Sequence, residues 1–192
     1  MRAKHLVVML KEPRPGRVKT RLGRDIGMTT AAWWFRHQTA KLLRRLEYPR
    51  WTLWVAVSPD HAGHQSRIWP AHLPRLGQGT GNLGDRMARL FRSLPPGPMC
   101  IIGGDIPEIE PHHIADAFGM LGSRDAVFGP APDGGYWLVG LKRSRAVPTT
   151  LFNDVRWSTR HALADSEASL GTLRIGHVAT LRDVDTVADL KP

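Results

Sequence analysis

Five cations crowd one glycine-centred stretch, Lys11-Glu-Pro-Arg-Pro-Gly-Arg-Val-Lys-Thr-Arg-Leu22: Lys11, Arg14, Arg17, Lys19 and Arg21 surround Gly16. The stretch directly follows the apolar run Leu6-Val-Val-Met-Leu10, which reads as a buried strand closed by a Pro/Gly break. In an open α/β sheet the loop after the first strand is where nucleotides sit. Several cations there can neutralise a di- or triphosphate, Arg through bidentate contacts and Lys as a point charge. A solvated basic loop or a nucleic-acid patch is the competing reading.

A second candidate is Asp105, in Gly104-Asp-Ile-Pro107 behind the apolar segment Met99-Cys-Ile-Ile102. One carboxylate opposite a phosphate site is a common way to hold Mg²⁺, with phosphate oxygens and water completing the shell. The alternative is a helix-capping aspartate. Asp183 and Asp185 alternate in the late segment Asp183-Val-Asp-Thr-Val-Ala-Asp189. They point the same way if the segment is extended, and Asp185 could equally cap the last turn. Asp133-Gly-Gly-Tyr136 sets an acid beside two glycines, where a ligand can approach the backbone. Trp157-Ser158-Thr159 could line an acceptor pocket, or Ser158 could be an N-cap. Gly79-Thr-Gly81, with Asn82 and Arg86 at a helix start, is a weaker site for a base, ribose or phosphate. His112 and His113 are adjacent in a first helical turn, cannot easily face one ion, and read as surface residues.

The elements that must position these groups alternate. Helices are expected from Thr29 to about Tyr48, around His61–Ile68, over Leu83–Leu94, from Pro111 to Leu121 and over Thr159–Leu170, with a terminal turn at Asp185–Leu190. Strands are expected at Trp51–Val57, weakly at Leu73–Leu76, and at Met99–Gly103, Ala126–Gly129, Tyr136–Leu141 and Leu173–Val178. Alternation argues for an α/β three-layer, Rossmann-like fold with helices on both faces of the sheet. The hairpin-like turn Pro130–Gly135 argues that the sheet is mixed.

Composition bounds the rest. The 192 residues fit one domain over 1–192, with no repeat or low-complexity tract. No apolar run is long enough for a spanning helix or a signal peptide. The single cysteine, Cys100, lies in an apolar run and cannot form an internal disulfide, so a cytoplasmic protein with an inert thiol is expected. A net charge of +10 favours nonspecific attraction to polyanions, but the basic residues form only one dense cluster and no recognition helix is evident. A noncatalytic polyanion-binding protein therefore stands as a third reading, without specific nucleic-acid recognition. The oligomeric state is left open.

The motifs in order resemble one bacterial group. They are Lys11-x-Pro13-x-x-Gly16-x-Val18-Lys19-Thr20-Arg21-Leu22, Gln78-Gly79-x-Gly81-x-Leu83-Gly84-x-Arg86-Met87, Gly103-x-Asp105-x-Pro107, Gly129-Pro130-Ala131-x-Asp133-Gly134-Gly135-Tyr136, Trp157-Ser158-Thr159 and Arg182-Asp183-Val184-Asp185-Thr186. The set, spanning the whole chain, resembles the small glycosyltransferase-A-fold transferases filed as arsenosugar- or radical-SAM-associated glycosyltransferases, within the nucleotide-diphospho-sugar transferase superfamily. The first loop is also similar to that of phospholactate guanylyltransferases, where a Lys-(Ser/Thr)-Arg-Leu element serves the triphosphate.

That resemblance implies a nucleotide or nucleotide-sugar donor, a small-molecule acceptor and Mg²⁺ (or Mn²⁺). It implies donor binding by Lys11, Pro13, Gly16, Arg17, Lys19, Arg21, Gln78, Gly79 and Arg86, and metal binding by Asp105 and Asp185. Asp133, Gly134, Gly135, Tyr136, Trp157, Ser158 and Thr159 would face the acceptor. Asp105, Lys19 and Asp133 would be catalytic, with Asp133 the candidate general base. Glycosyl transfer from an NDP-sugar is the leading expectation, and nucleotidyl transfer from an NTP the alternative. Two departures stand out: Asn82 replaces a frequent Asp, and the strand end Gly103-Gly-Asp-Ile-Pro107 lacks a paired Asp-x-Asp.

Overall fold

In the computed structural model, which describes residues 3–190, β-branched and aliphatic runs form a seven-stranded sheet. Its strands are β1 (His5–Lys11), β2 (Thr52–Ser58), β3 (Arg75–Gly77), β4 (Met99–Gly103), β5 (Ala126–Pro130), β6 (Tyr136–Leu141) and β7 (Ile175–His177). They lie in the order β3-β2-β1-β4-β6-β5-β7. β1, β2, β3 and β4 are mutually parallel, β6 runs against both β4 and β5, and β7 is parallel to β5. The mixed sheet expected from the sequence is thus formed by one reversed strand.

Alternate residues of each strand feed two separate cores. Leu6, Val8 and Leu10 of β1 join Leu53, Val55 and Val57 of β2 on one face. There they pack against α2 (Met28–Leu46) through Phe35, Leu42, Leu43 and Leu46, and against α5 (Pro111–Met120) through Ile114 and Phe118. Val7, Met99, Ile101, Phe128 and Val139 face the other way, onto Met87, Leu90 and Phe91 of α4 (Leu83–Ser93). Period-two alternation in the strands and helical spacing in the helices therefore give three layers. Cys100 is buried, and burial pushes its thiol far above the usual range, so it is inert.

Some local expectations change. The basic stretch does not continue as loop past Lys19, because α1 (Thr20–Ile26) begins there and takes Arg21 and Leu22 into a helix. α2 starts at Met28, so Thr29 and Thr30 lie inside its first turn. The helix expected from Thr159 is α6 (Ala162–Ala168), preceded by His161. Ser158 is not its cap; it sits at φ +60°, outside the extended region an N-cap uses. The final turn is a 3₁₀ helix, Val187–Asp189, capped by Thr186 and not by Asp185. Among the described residues, no helix is long and apolar enough to cross a membrane.

Candidate functional site

The chain leaves β1, builds β2 and β3 on one side, then crosses back to place β4 on the other side of β1. The carboxyl ends of β1 and β4 therefore flank the point where the winding reverses, the place where open α/β sheets form a ligand crevice. A cleft of about 860 Å³ opens there, lined by residues following both strands.

From the β1 side, the basic stretch turns at Gly16 (φ +74°) and reaches Lys19 in a left-handed conformation (φ +44°, ψ +48°). A lysine rarely adopts this backbone, which costs on the order of 1–3 kcal/mol unless surrounding contacts hold it. Here the contacts are ionic. Lys19 Nζ lies 2.6 Å from Asp105 Oδ2 and 3.0 Å from Asp185 Oδ1, and its side chain is 7% exposed. Arg21, 72% exposed, donates to Asp185 Oδ2 at 2.9 Å. Two of the cations expected to meet phosphate are thus paired with carboxylates. Lys11 and Arg17 line the cleft on exposed backbone.

The carboxylates form a set. One oxygen each from Asp105, Asp183 and Asp185 lies within 4.8 Å of the others. Asp105 follows β4 as expected, and no helix starts beside it: the next one, α5, is capped by Glu110. The capping alternative for Asp105 therefore falls away. The late segment has no regular secondary structure over residues 183–185, and Val184 N donates to the Asp105 backbone oxygen at 3.2 Å, holding both aspartates beside β4. Asp189 Oδ2 accepts from the backbone N–H groups of Asp185 and Thr186, which anchors the segment's end. Asp183 was absent from the expected metal ligands, although its alternation with Asp185 was the signal for it. Burial, then the neighbouring Asp105 and Asp185 charges, raises the Asp183 pKa. For Lys19, burial works downward, but the Asp105 and Asp185 carboxylates outweigh it and hold the ammonium charged. Three hard oxygen ligands suit a divalent cation of the Mg²⁺ or Mn²⁺ kind, with phosphate oxygens to complete the shell.

The remaining donor-side residues divide. Arg86 lines the cleft, and its Nε donates to Gly81 O at 3.0 Å. Gln78 lines it too, but its side-chain amide is buried and donates to Leu10 O and Ala56 O, so it ties β1 to β2. Pro13, Gly16 and Gly79 lie outside the cleft lining. Gly79 sits at φ +74°, where a Cβ would strike the Arg89 guanidinium. That arginine, which sequence reading missed, braces the loop by donating to Gln78 O and Thr80 O. Asn82 forms a capping box with Asp85 at the start of α4, a role Asp would fill equally well. The two histidines do not diverge as expected: their ring centroids lie 3.9 Å apart, with His112 exposed and His113 half-buried, its Nδ1 accepting from Glu110 N at the start of α5.

On the β6 side, a smaller cavity of about 240 Å³ adjoins the cleft. Asp133, Tyr136, Ser158 and Thr159 line both spaces, and Gly135 and Trp157 the smaller one. Asp133 Oδ1 accepts from Gly135 N at 2.9 Å, a bond local to the hairpin turn. Gly134 lines neither; at φ +85° it lets the hairpin pass against the Arg160 backbone, which a Cβ would strike. Thr159 Oγ1 is spent on Arg156 O at 2.8 Å, whereas Ser158 makes no hydrogen bond to the described protein.

Comparison with known proteins agrees with this layout. No curated protein matches the chain. A crystal structure from Desulfovibrio desulfuricans G20, provisionally described as a nucleotide-diphospho-sugar transferase, is 27% identical with a TM-score of 0.84, covering 98% of this chain and 85% of that one. CMP:2-keto-3-deoxy-manno-octonic acid synthetase complexed with CTP shares the fold at 13% identity and a TM-score of 0.58, over 97% and 95% of the two chains. Rv0371C of Mycobacterium tuberculosis H37Rv in complex with manganese does so at 16% and 0.55, again over 97% and 95%. The fold is that of the nucleotide-diphospho-sugar transferases and nucleotidyltransferases. A family of uncharacterized proteins conserved in bacteria, DUF2064, matches residues 41–159, which include Asp105, Asp133 and Ser158 but neither the basic loop nor the late aspartates. That match spans well over half of the sequence, and the chain belongs to the DUF2064 family.

Proposed function

We propose that this protein is a transferase that takes a group from a nucleotide donor, with glycosyl transfer from an NDP-sugar to a small-molecule acceptor as the reading best supported. The observation that carries it is the meeting of the basic loop and the three-carboxylate set at the sheet's crevice, with Lys19 joining the two. The solved structure with 27% identity and the sequence resemblance to arsenosugar- and radical-SAM-associated glycosyltransferases favour a sugar donor. In this reading Lys11, Arg17, Lys19, Arg21 and Arg86 receive the donor's phosphates, and Asp105, Asp183 and Asp185 hold the divalent ion. Magnesium or manganese, when bound, supplies positive charge against the diphosphate oxygens. The acceptor hydroxyl oxygen bonds to the anomeric carbon as the bond from that carbon to the diphosphate oxygen breaks. The hydroxyl proton passes to the Asp133 carboxylate, and the leaving diphosphate's charge is met by the basic loop.

Nucleotidyl transfer is the second reading, favoured by the fold shared with a CTP-bound synthetase and by the lack of a paired Asp-x-Asp. There the acceptor oxygen attacks the α-phosphorus and pyrophosphate leaves. A thermal-shift panel of NTPs, NDPs and NDP-sugars, with Mg²⁺, Mn²⁺ or EDTA, separates the possibilities, because ligands that bind only the folded state raise Tm. The expected result is the largest shift with an NDP-sugar and divalent ion, abolished by EDTA. A larger shift with an NTP selects the second reading. No nucleotide response, with polyphosphate raising Tm independently of divalent ion, replaces both with the polyanion-binding reading.

A further inference from the structure

The crevice is divided by charge. The larger space carries Lys11, Arg17, Lys19, Arg21, Arg86 and Arg160 on its walls, beside Asp105, Asp133 and Asp185. The smaller cavity has no lysine, arginine or histidine among its described lining residues; its charged groups are Asp105, Asp133 and Asp183. Its other walls are largely aromatic. Tyr136 and Trp157 stand 6.5 Å apart at 64°, and Trp137 lines the same space. The polar ends of the first and last point elsewhere: the Tyr136 hydroxyl meets Ser166 Oγ at 3.2 Å, and Trp137 Nε1 donates to Ala179 O at 2.8 Å. What these two residues offer the cavity is ring surface. The polar side-chain groups left for a ligand are carboxylate oxygens, the Trp157 indole N–H and the Ser158 hydroxyl, which the left-handed backbone at φ +60° presents without a protein partner.

Ionised carboxylates only accept hydrogen bonds, whereas a serine hydroxyl both donates and accepts. A ligand satisfying this set must donate to Asp133, accept from the Trp157 indole, exchange hydrogen bonds with a hydroxyl and cover ring faces with C–H surface. The reading above gives Asp105 and Asp183 to the divalent ion, so Asp133 is the carboxylate left to the acceptor, and a phosphate or carboxylate ligand would bring negative charge beside it. A volume of about 240 Å³ falls under the roughly 300–1,000 Å³ of drug-sized sites, so one small molecule or one end of a larger one fits.

We propose that the smaller cavity receives the acceptor and selects an uncharged polyhydroxyl compound, rejecting the phosphorylated form of the same compound. This rests on the donor occupying the basic lobe, as proposed above, and it narrows the acceptor class there. Sugar phosphates and other anionic acceptors are thereby disfavoured, whichever bond the enzyme makes.

The test is ¹⁵N–¹H NMR of the full chain, following the Trp157 indole, assigned with Trp157→Phe, and the backbone amides of Lys19 to Arg21. The probes are glycerol, ribose, glucose and myo-inositol, each against its phosphate ester, in the presence of Mg²⁺. At least one polyol should shift the Trp157 indole saturably, with its ester at least about tenfold weaker there. Asp133→Asn should narrow that gap. The proposal is overturned if an ester moves Trp157 at the same or lower concentration than its parent, if no polyol moves it, or if Asp133→Asn leaves the gap intact. UDP-glucose and CTP with Mg²⁺, read at the Lys19 to Arg21 amides, test the donor assignment separately. Failure there with a normal Trp157 response removes the donor reading and leaves the polyol site.

Discussion

The parallel half of the sheet and the half built around β6 contribute to one crevice in different ways. Asp105 lies just past the end of β4 and Lys19 at the far end of the loop that leaves β1, and the two meet at 2.6 Å with Lys19 almost wholly covered. The other half works through its turns and loops: a hairpin turn for Asp133, a loop ahead of α6 for Ser158 and a segment after β7 for Asp183 and Asp185. The lesson is a division of labour. Charge that must be held at fixed distances gathers beside the end of β4, where the late segment brings Asp183 and Asp185 to Asp105, while Asp133 and Ser158 sit on exposed turns, where side chains change without disturbing the core. Substitutions at Lys19, Asp105, Asp183 and Asp185 should therefore act through electrostatics and donor binding, and those at Asp133 and Ser158 through acceptor contacts.

The largest effect is expected at Asp105. Asp105→Asn keeps the shape and removes one charge from the three-carboxylate set. Loss of an outer-shell partner of a metal ligand typically costs about 10–100-fold in metal affinity, and a direct ligand should exceed that. Calorimetric titration of the donor with and without Mg²⁺ should show metal-dependent binding weakened by at least about a hundredfold, with the fold intact by circular dichroism. Retention of full Mg²⁺-dependent binding would place the metal elsewhere and dissolve the contrast between the halves.

A smaller effect is expected at Lys19, with a different signature. Lys19→Ala removes two charge-assisted contacts and leaves Asp105, Asp183 and Asp185 facing one another. Donor affinity should fall by about ten- to a hundredfold, from a loss of roughly 1.5–3 kcal/mol. Unlike a surface lysine, it should also lower Tm without metal, and Mg²⁺ should restore part of that loss by neutralising the same carboxylates. The pH sign follows from the raised Lys19 pKa: its contribution is complete below the ordinary lysine value and fades only as pH rises through the raised one. The deficit of the variant relative to the parent should thus be constant through neutrality and shrink in strong alkali. Chemical denaturation against pH reads this, and an equal Tm at neutral pH would return Lys19 to the role of a solvated loop residue.

How far these features were legible follows the same division. The first strand, its basic loop and Asp105 could be read because each is local: an apolar run, a break, then charged residues within a short stretch. The alternation of strands with helices likewise announced a sheet covered on both faces. Three things were hidden. α1 begins at a left-handed Lys19 with no capping side chain, so no helix-start signal precedes it. The pairing of the basic loop with the late aspartates spans 166 residues for Lys19 and Asp185, a contact that only topology creates. Ser158 looked like an N-cap by type and position, but the chain needed a turn there and placed the cap elsewhere.

Ser158 supplies the smallest expected effect and the sharpest test of the second half, because backbone and hydroxyl can be separated. A non-glycine residue held left-handed costs roughly 1–2 kcal/mol, which glycine avoids. Ser158→Gly should therefore raise Tm or leave it unchanged, and Ser158→Ala should not gain, since alanine keeps the strain. Both lose the one lining hydroxyl that has no partner in the protein; the Thr159 hydroxyl is already engaged by Arg156 O. If that hydroxyl holds the acceptor, the two variants should lose polyol binding at the Trp157 indole to the same extent, by several-fold, the worth of one neutral hydrogen bond at about 0.5–1.5 kcal/mol. Their stabilities would differ while their binding would not. Binding that instead tracks stability, with alanine retaining the parent's affinity and only glycine losing it, would assign the acceptor contact to the shape of the turn and remove the hydroxyl from the site.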